Sequence, residues 1–574
     1  MKRFLSIIAL LSICVSASAQ VTREVEVTKQ YVPKLPPARK LDIATDKQDT
    51  VNIRPEIDYT IAPKSFASAL TTSKFRPATV TYWEYNKRYP FYAKLGAGFP
   101  LASEADVYVS TERADVGYLT GYINHRGQFS NIKGDYTLSE GGDVISYGDN
   151  SAQQMVNRIG FNGGKYIGRY TLDGDIYYQS DIYHRYPQAT AEEMTDEVNF
   201  ENAAVKLSFG DSFSDMSKIN FSLYASADYY NDKSEQIPVA ESEQMVKFQQ
   251  FSTAVGVKAG RNLAQCASVL LSVDYQGYYG SKSLSDYSDN IISASLLFNY
   301  NAKRILSAKA GLTYSYDHLP YVVQKKRNHI FPHLYVGADI FENGALVPYV
   351  EADGELVNNS YQQLQRLNPY VAVMPYFDSV ALPNTEIYNV RLGLSGHIGG
   401  SKLAYRLYGN IAFVQNSLYW YSPMPAFLYA KCVDERVMSL EASLEYKPIS
   451  HLYISAAVKA LRYSQKVNLD IANCKPSLLG EFNIRYNHRK FVIGATADVV
   501  GRRAWSVGTS ADMQSSAVVE YPAYVDLGLT FDWFVGKRCT LYVEGRNLTN
   551  AKIYHWALYK EYGAGGIVGV KVQF

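Results

Sequence analysis

The chain has 574 residues and a net charge of +2 at pH 7, with 49 tyrosines and 39 glycines against only 5 cysteines. That balance excludes a protein that holds nucleic acid through bulk positive charge, and so few cysteines exclude a disulfide scaffold. Beyond residue 20 no run of 18 apolar residues occurs, which excludes a helical membrane protein but not a transmembrane β-barrel, whose strands are only half apolar.

The chain opens with Met1-Lys2-Arg3, an apolar stretch from Phe4 to Val15, and the small residues Ala17-Ser18-Ala19. This is the pattern of a cleaved secretory signal over residues 1–19, with Gln20 as the mature N-terminus. Cys14 follows Ile13, where a lipidated signal would carry a small residue, so lipidation is not expected. The other cysteines, Cys266, Cys432, Cys474 and Cys539, are too scattered to suggest a metal site.

Residues 20–90 differ in composition. They hold Pro33, Pro36, Pro37, Pro55, Pro63, Pro77 and Pro90, mixed charges and no sustained amphipathic period. An extended arm, periplasmic or lumenal, fits this composition. Such a segment can add a strand to a partner or lie inside a pore.

From Phe91 to Phe574 the period is two. Ile219, Phe221, Leu223, Ala225, Ala227 and Tyr229 alternate with polar residues. The rows Leu306 to Tyr316 and Val525 to Trp533 do the same. One apolar and one polar row per strand suits a sandwich or a barrel. Many runs are long enough for a tilted membrane crossing, longer than ordinary sandwich strands. The spacing predicts an all-β, antiparallel transmembrane barrel over 91–574 with about 22 strands. Long connections (128–152, 181–197, 357–385, 415–435, 501–521) alternate with short ones such as Gly399-Gly400-Ser401 and Asn487-His488-Arg489. That asymmetry is expected of outer loops and periplasmic turns. Pairs such as Tyr177-Tyr178, Tyr229-Tyr230, Tyr278-Tyr279 and Trp533-Phe534 fall at strand ends and read as aromatic girdles. The last strand carries Val568, Val570, Val572 and Phe574 on one face.

Two segments carry a resemblance to a known family. Tyr524-Val525-Asp526-Leu527 leads to Glu544-Gly545-Arg546-Asn547-Leu548-Thr549-Asn550 and Tyr554. Asn368-Pro369-Tyr370 leads to Leu382-Pro383-Asn384-Thr385-Glu386 and Tyr388-Asn389-Val390-Arg391-Leu392-Gly393. These are similar to barrel motifs of TonB-dependent receptors, and the tyrosine-rich, receptor-like pattern resembles envelope proteins of Bacteroidetes-type bacteria. The resemblance implies an outer-membrane barrel that binds or transports a solute. It also implies surface lipoproteins or assembly machinery as possible partners. Glu24-Val25-Glu26-Val27-Thr28 resembles the box that contacts TonB. The chain departs from the family in having only residues 20–90 where the family carries a folded plug.

A barrel this wide must be filled by the arm, the loops or another protein. The 415–435 connection is the candidate contact site, with Tyr419, Trp420, Tyr421, Met424, Phe427 and Tyr429. These residues fit either a surface for a partner or a loop packed on itself over the lumen. Connection 357–385, with Tyr370, Val371, Val373, Met374, Tyr376 and Phe377, is similar. No G-x-S-x-G or H-E-x-x-H motif occurs. His329 and His333 are not at ligand spacing on a strand. The expectation is therefore a non-enzyme with no catalytic residues, cofactor or metal. Two functions stay open: a solute receptor or transporter, and a non-transporting scaffold of an outer-membrane complex.

Overall fold

The computed structural model describes residues 89–574, apart from 138–143, 187–196, 235–246, 321–326, 372–381, 466–473, 509–515 and a few turn residues. The signal, the arm and the Glu24–Thr28 segment lie outside the described residues.

Twenty-two antiparallel strands hydrogen-bond in succession and close into a barrel. The first, Phe91–Phe99, pairs with the last, Gly565–Gln573, from Tyr92 opposite Gln573 to Phe99 opposite Gly566. The number of barrel strands is the one that the spacing predicts. Alternation sets which face is outside. Ile219, Leu223 and Tyr229 are exposed on one row, while Asn220, Tyr230 and Asp232 are buried on the other. The apolar row points outward, where the barrel meets lipid, and the polar row lines the lumen. Among the described residues no helix is long and apolar enough to cross a membrane; the chain crosses with strands.

Outward rows make a direct prediction. Leu392 lies midway along Thr385–Ile398 and is 67% exposed. Leu392→Arg is expected to cost about 2–4 kcal/mol in a bilayer. Urea unfolding in lipid vesicles measures this, and a neutral result would remove the position from the lipid face.

The predicted aromatic pairs are corrected in one respect. Only one ring of each compared pair faces outward. Tyr178 and Tyr229 are 42% and 43% exposed, whereas Tyr177 and Tyr230 are buried on the inner face. Neighbours on a strand point to opposite faces, so a pair cannot supply two rings to one girdle. Part of the tyrosine excess therefore serves the inner wall. Tyr118 donates to Asp173 at 2.7 Å and Tyr122 to Asp175 at 3.0 Å.

The inner wall is knitted by ions where the ring closes. Glu104 pairs with Lys94 and, at 3.1 Å, with Arg126, which also meets Asp106 at 2.9 Å. Lys571 on the last strand meets Asp532 at 2.8 Å. One end of the ring carries mostly tight turns. Gly399 and Gly400 sit at φ 68° and 66° in the short connection from Ile398 to Leu403, left-handed conformations that glycine adopts without steric cost. The other end carries the long connections.

Those connections are not bare loops. The strands flanking 415–435 run on as Leu403–Met424 and Phe427–Ile449. Short hairpins stand at Asn131–Thr137 with Val144–Ser151, Arg503–Gly508 with Ser516–Tyr521, and Tyr554–Trp556 with Tyr559–Lys560. A helix, Tyr361–Leu367, lies in the 358–384 connection.

Candidate functional site

The loop end is a packed cap. Its spine is the hairpin extension beyond Val414. The ladder shifts register between Val414 and Ser417, and Asn416 takes φ 56° there, a left-handed conformation that asparagine tolerates better than most residues. Past this bulge the pairing resumes from Ser417 opposite Val433 to Tyr421 opposite Tyr429. Both edges of the extension gain neighbours. Leu428 bridges to Val371, and Ser422 bridges to Val507 of the Arg503–Gly508 strand.

Covered on both sides, the hairpin buries residues of both rows. Tyr419, Leu418, Trp420, Leu428 and Val433 belong to one apolar cluster. Trp556 meets Trp420 and Trp505 edge-on, with ring centroids 5.6 and 6.1 Å away. Tyr521 stacks on Tyr554 at 4.5 Å. Tyr559 stacks on Tyr370 at 3.7 Å and meets Tyr186 at 4.9 Å. The same cluster takes Ile132 and Ala152 from the 129–153 connection and Cys474 from 466–477. Connections that are far apart in sequence thus share one core.

Many polar atoms within the cap are paired, as burial favours, although the Trp505 indole nitrogen and Arg503 Nε are buried without a hydrogen bond. Tyr186 donates to the Lys560 carbonyl at 2.7 Å, and the Leu558 amide donates to the Tyr521 hydroxyl at 2.9 Å. Arg503 donates to the Tyr554 carbonyl at 2.6 Å. The Tyr562 hydroxyl lies 2.9 and 2.8 Å from the carbonyls of Ser130 and Ala152, and its burial pushes its pKa up to about 12. At the root of the hairpin the Glu435 carboxylate accepts from Tyr419 at 2.5 Å, Ser417 at 2.6 Å and Lys475 at 2.6 Å.

Burial also raises the Cys474 thiol above the ordinary range. A raised thiol pKa leaves less thiolate at a given pH, and the thiolate is the reactive form. At pH 8, maleimide labelling of Cys474 in the folded protein is expected to run about tenfold or more slower than at Cys266, and to equalise on denaturation. Equal rates in the folded state would show that the cap is open at this point.

The 358–384 connection straps the cap to the inner wall. Gln362 donates to Asp228 at 2.7 Å, Arg366 pairs with Asp228 at 2.9 Å, and Tyr361 donates to Asp232. The two ends of the strap converge on one carboxyl pair. Asn358 and Asn384 donate to Asp289 at 2.7 and 2.8 Å, and Asn384 also donates to Asp317 at 3.0 Å.

The residues singled out from sequence are placed as follows. Tyr419, Trp420 and Tyr429 are buried in the cap, and Tyr421 is half-buried. Met424 and Phe427 pair at the hairpin tip, with side chains outside the described residues. His329 lies 2.8 Å from Glu386, and His333 bonds Thr313 at 2.7 Å, so the two do not share a site. Sequence reasoning missed Tyr186 and the last connection. A signal was present there: Tyr554, Trp556, Tyr559 and Tyr562 crowd one short stretch.

No family model and no curated protein matches the chain. Solved structures do. The siderophore receptor PirA from Acinetobacter baumannii matches with a TM-score of 0.62 and 11% identity, over 84% of this chain and 80% of that one. The FrpB iron transporter from Neisseria meningitidis gives 0.62 and 10%, over 85% and 82%. The ferric enterobactin receptor PfeA from Pseudomonas aeruginosa, a mutant form, gives 0.61 and 11%, over 84% and 80%. The protein is an outer-membrane β-barrel. Its barrel has the fold of TonB-dependent receptors.

Proposed function

We propose that the protein is a receptor-like barrel that binds a solute and passes it across the outer membrane, with TonB as the energy-coupling partner through Glu24–Thr28. The observation that carries this reading is the closed 22-strand ring, whose fold resembles that of the siderophore receptor PirA and the iron transporter FrpB. On this reading the protein carries its solute unchanged and is not an enzyme. Deletion of residues 20–30 is expected to abolish the uptake that the full chain restores to a strain lacking it. Undiminished uptake by the deletion variant would overturn the proposal.

The folded cap favours a second reading, a scaffold subunit that holds a surface lipoprotein or assembly factor. A partner would meet the outer skin of the cap, reaching Tyr421 and the hairpin tip at Met424 and Phe427 before Tyr419, Trp420 or Tyr429. Mild-detergent purification from the native membrane with mass spectrometry tests it. A stoichiometric partner supports this reading, and a lone barrel sinks it.

A further inference from the structure

We infer that the loop cap is the permeability seal of this barrel, the part that closes the lumen to the outside. The inference stands independently of whether the protein transports a solute or holds a partner.

The argument begins with position around the ring. Tyr186 follows the fifth barrel strand, Tyr170–His184. Tyr370 follows the thirteenth, Val347–Val357, and Tyr559 follows the twenty-first, Cys539–Arg546. The roots of these three connections therefore stand at near-thirds of a 22-strand ring. Chains rooted that far apart meet within one aromatic contact only above the middle of the opening. They do meet: Tyr370 and Tyr559 stack at 3.7 Å, Tyr186 and Tyr559 touch edge-on at 4.9 Å, and Tyr186 and Tyr370 lie 6.3 Å apart.

The meeting point is also a core. Tyr559 and Leu558 are 2% and 0% exposed, as deeply buried as the interior of a soluble domain. Packing of that kind leaves few gaps larger than a water molecule. Buried backbone groups around the hub are answered from other connections, by Tyr186 on the Lys560 carbonyl and by Tyr521 on the Leu558 amide. The cap thus holds itself together across the opening. On one side it is tied down by the 358–384 strap, whose Asn358 and Asn384 grip Asp289 on the inner wall. A 22-stranded barrel encloses a lumen wide enough to need a plug, and this chain brings its own connections together where one is required.

Planar-bilayer current through the full-length protein tests the inference. Wild type is expected to stay closed. Tyr370→Ala/Tyr559→Ala is expected to raise the mean current roughly tenfold or more, because a gap at the hub opens onto the whole lumen. Heat-modifiable gel migration checks that the variant barrel is folded. The milder Tyr186→Ala, expected to show brief openings, serves if the double variant does not assemble. A variant lacking residues 21–88 of the mature segment is expected to stay closed like wild type. A folded double variant with wild-type current would overturn the inference. So would an open channel in the variant lacking residues 21–88, which would make the N-terminal segment the seal.

Discussion

Tyr559→Ala is expected to destabilise the whole cap by about 3–5 kcal/mol, the usual cost of deleting a buried aromatic ring. The ring is 2% exposed and touches two tyrosines from other connections. The cost should therefore not stay local. Hydrogen exchange is expected to quicken together at Tyr186, in the 358–371 segment, in the Arg503–Gly508 hairpin and in the last connection. Amides of the barrel strands should keep their protection, because their ladder bonds do not pass through the hub. Tyr421→Ala is the control. That ring is half-buried and meets Tyr429 at 5.9 Å, so about 1 kcal/mol is expected, felt only at the hairpin tip. If exchange after Tyr559→Ala quickens at residues 554–560 alone, the connections are separate loops that happen to touch.

Most of the barrel was legible because its two faces meet different solvents. Leu306, Ala308, Ala310, Leu312 and Tyr314 face lipid, while Ser307, Lys309, Gly311 and Thr313 face the lumen, and that contrast writes a period of two into the sequence. The cap follows another rule. Tyr419 and Trp420 point to opposite faces of one hairpin, yet both are buried, because other connections cover both sides. Alternation then disappears, and a strand reads as an aromatic loop. The Tyr554–Trp556 and Tyr559–Lys560 strands are too short to display any period. The Tyr361–Leu367 helix has barely two turns and is held by wall residues such as Asp232 and Gln250, far away in sequence.

The candidate site was legible in composition but not in connectivity. The aromatics of 415–435 announced a packed surface, and the choice between a partner and the chain itself stayed open. Contacts between Tyr186 and Tyr559 join connections at opposite ends of the chain. No local spacing encodes such a contact; only closure of the ring brings the two together. Arg503, which donates to the Tyr554 carbonyl, is likewise recognisable as structural only once its acceptor is in place.

The charged root of the hairpin gives the second large effect. Lys475→Met is expected to cost about 3–5 kcal/mol, since it leaves a buried carboxylate without its counter-ion. The Glu435 side chain is 1% exposed, and its remaining donors are the hydroxyls of Ser417 and Tyr419. Lys475 also lies 4.2 Å from the centre of the Tyr419 ring, so its loss removes packing as well as charge. Glu435→Gln in the same chain is expected to recover most of the loss. A neutral amide keeps an oxygen for the two hydroxyls and needs no cation, and replacing both members of a buried pair generally costs less than orphaning one. Protease cleavage within 415–435 and 466–477 gives the readout: fast in Lys475→Met, slow again in the double variant. Equal cleavage in the single and double variants would show that Lys475 acts through its methylene packing, and that the ion pair contributes little to holding the hairpin upright above the ring.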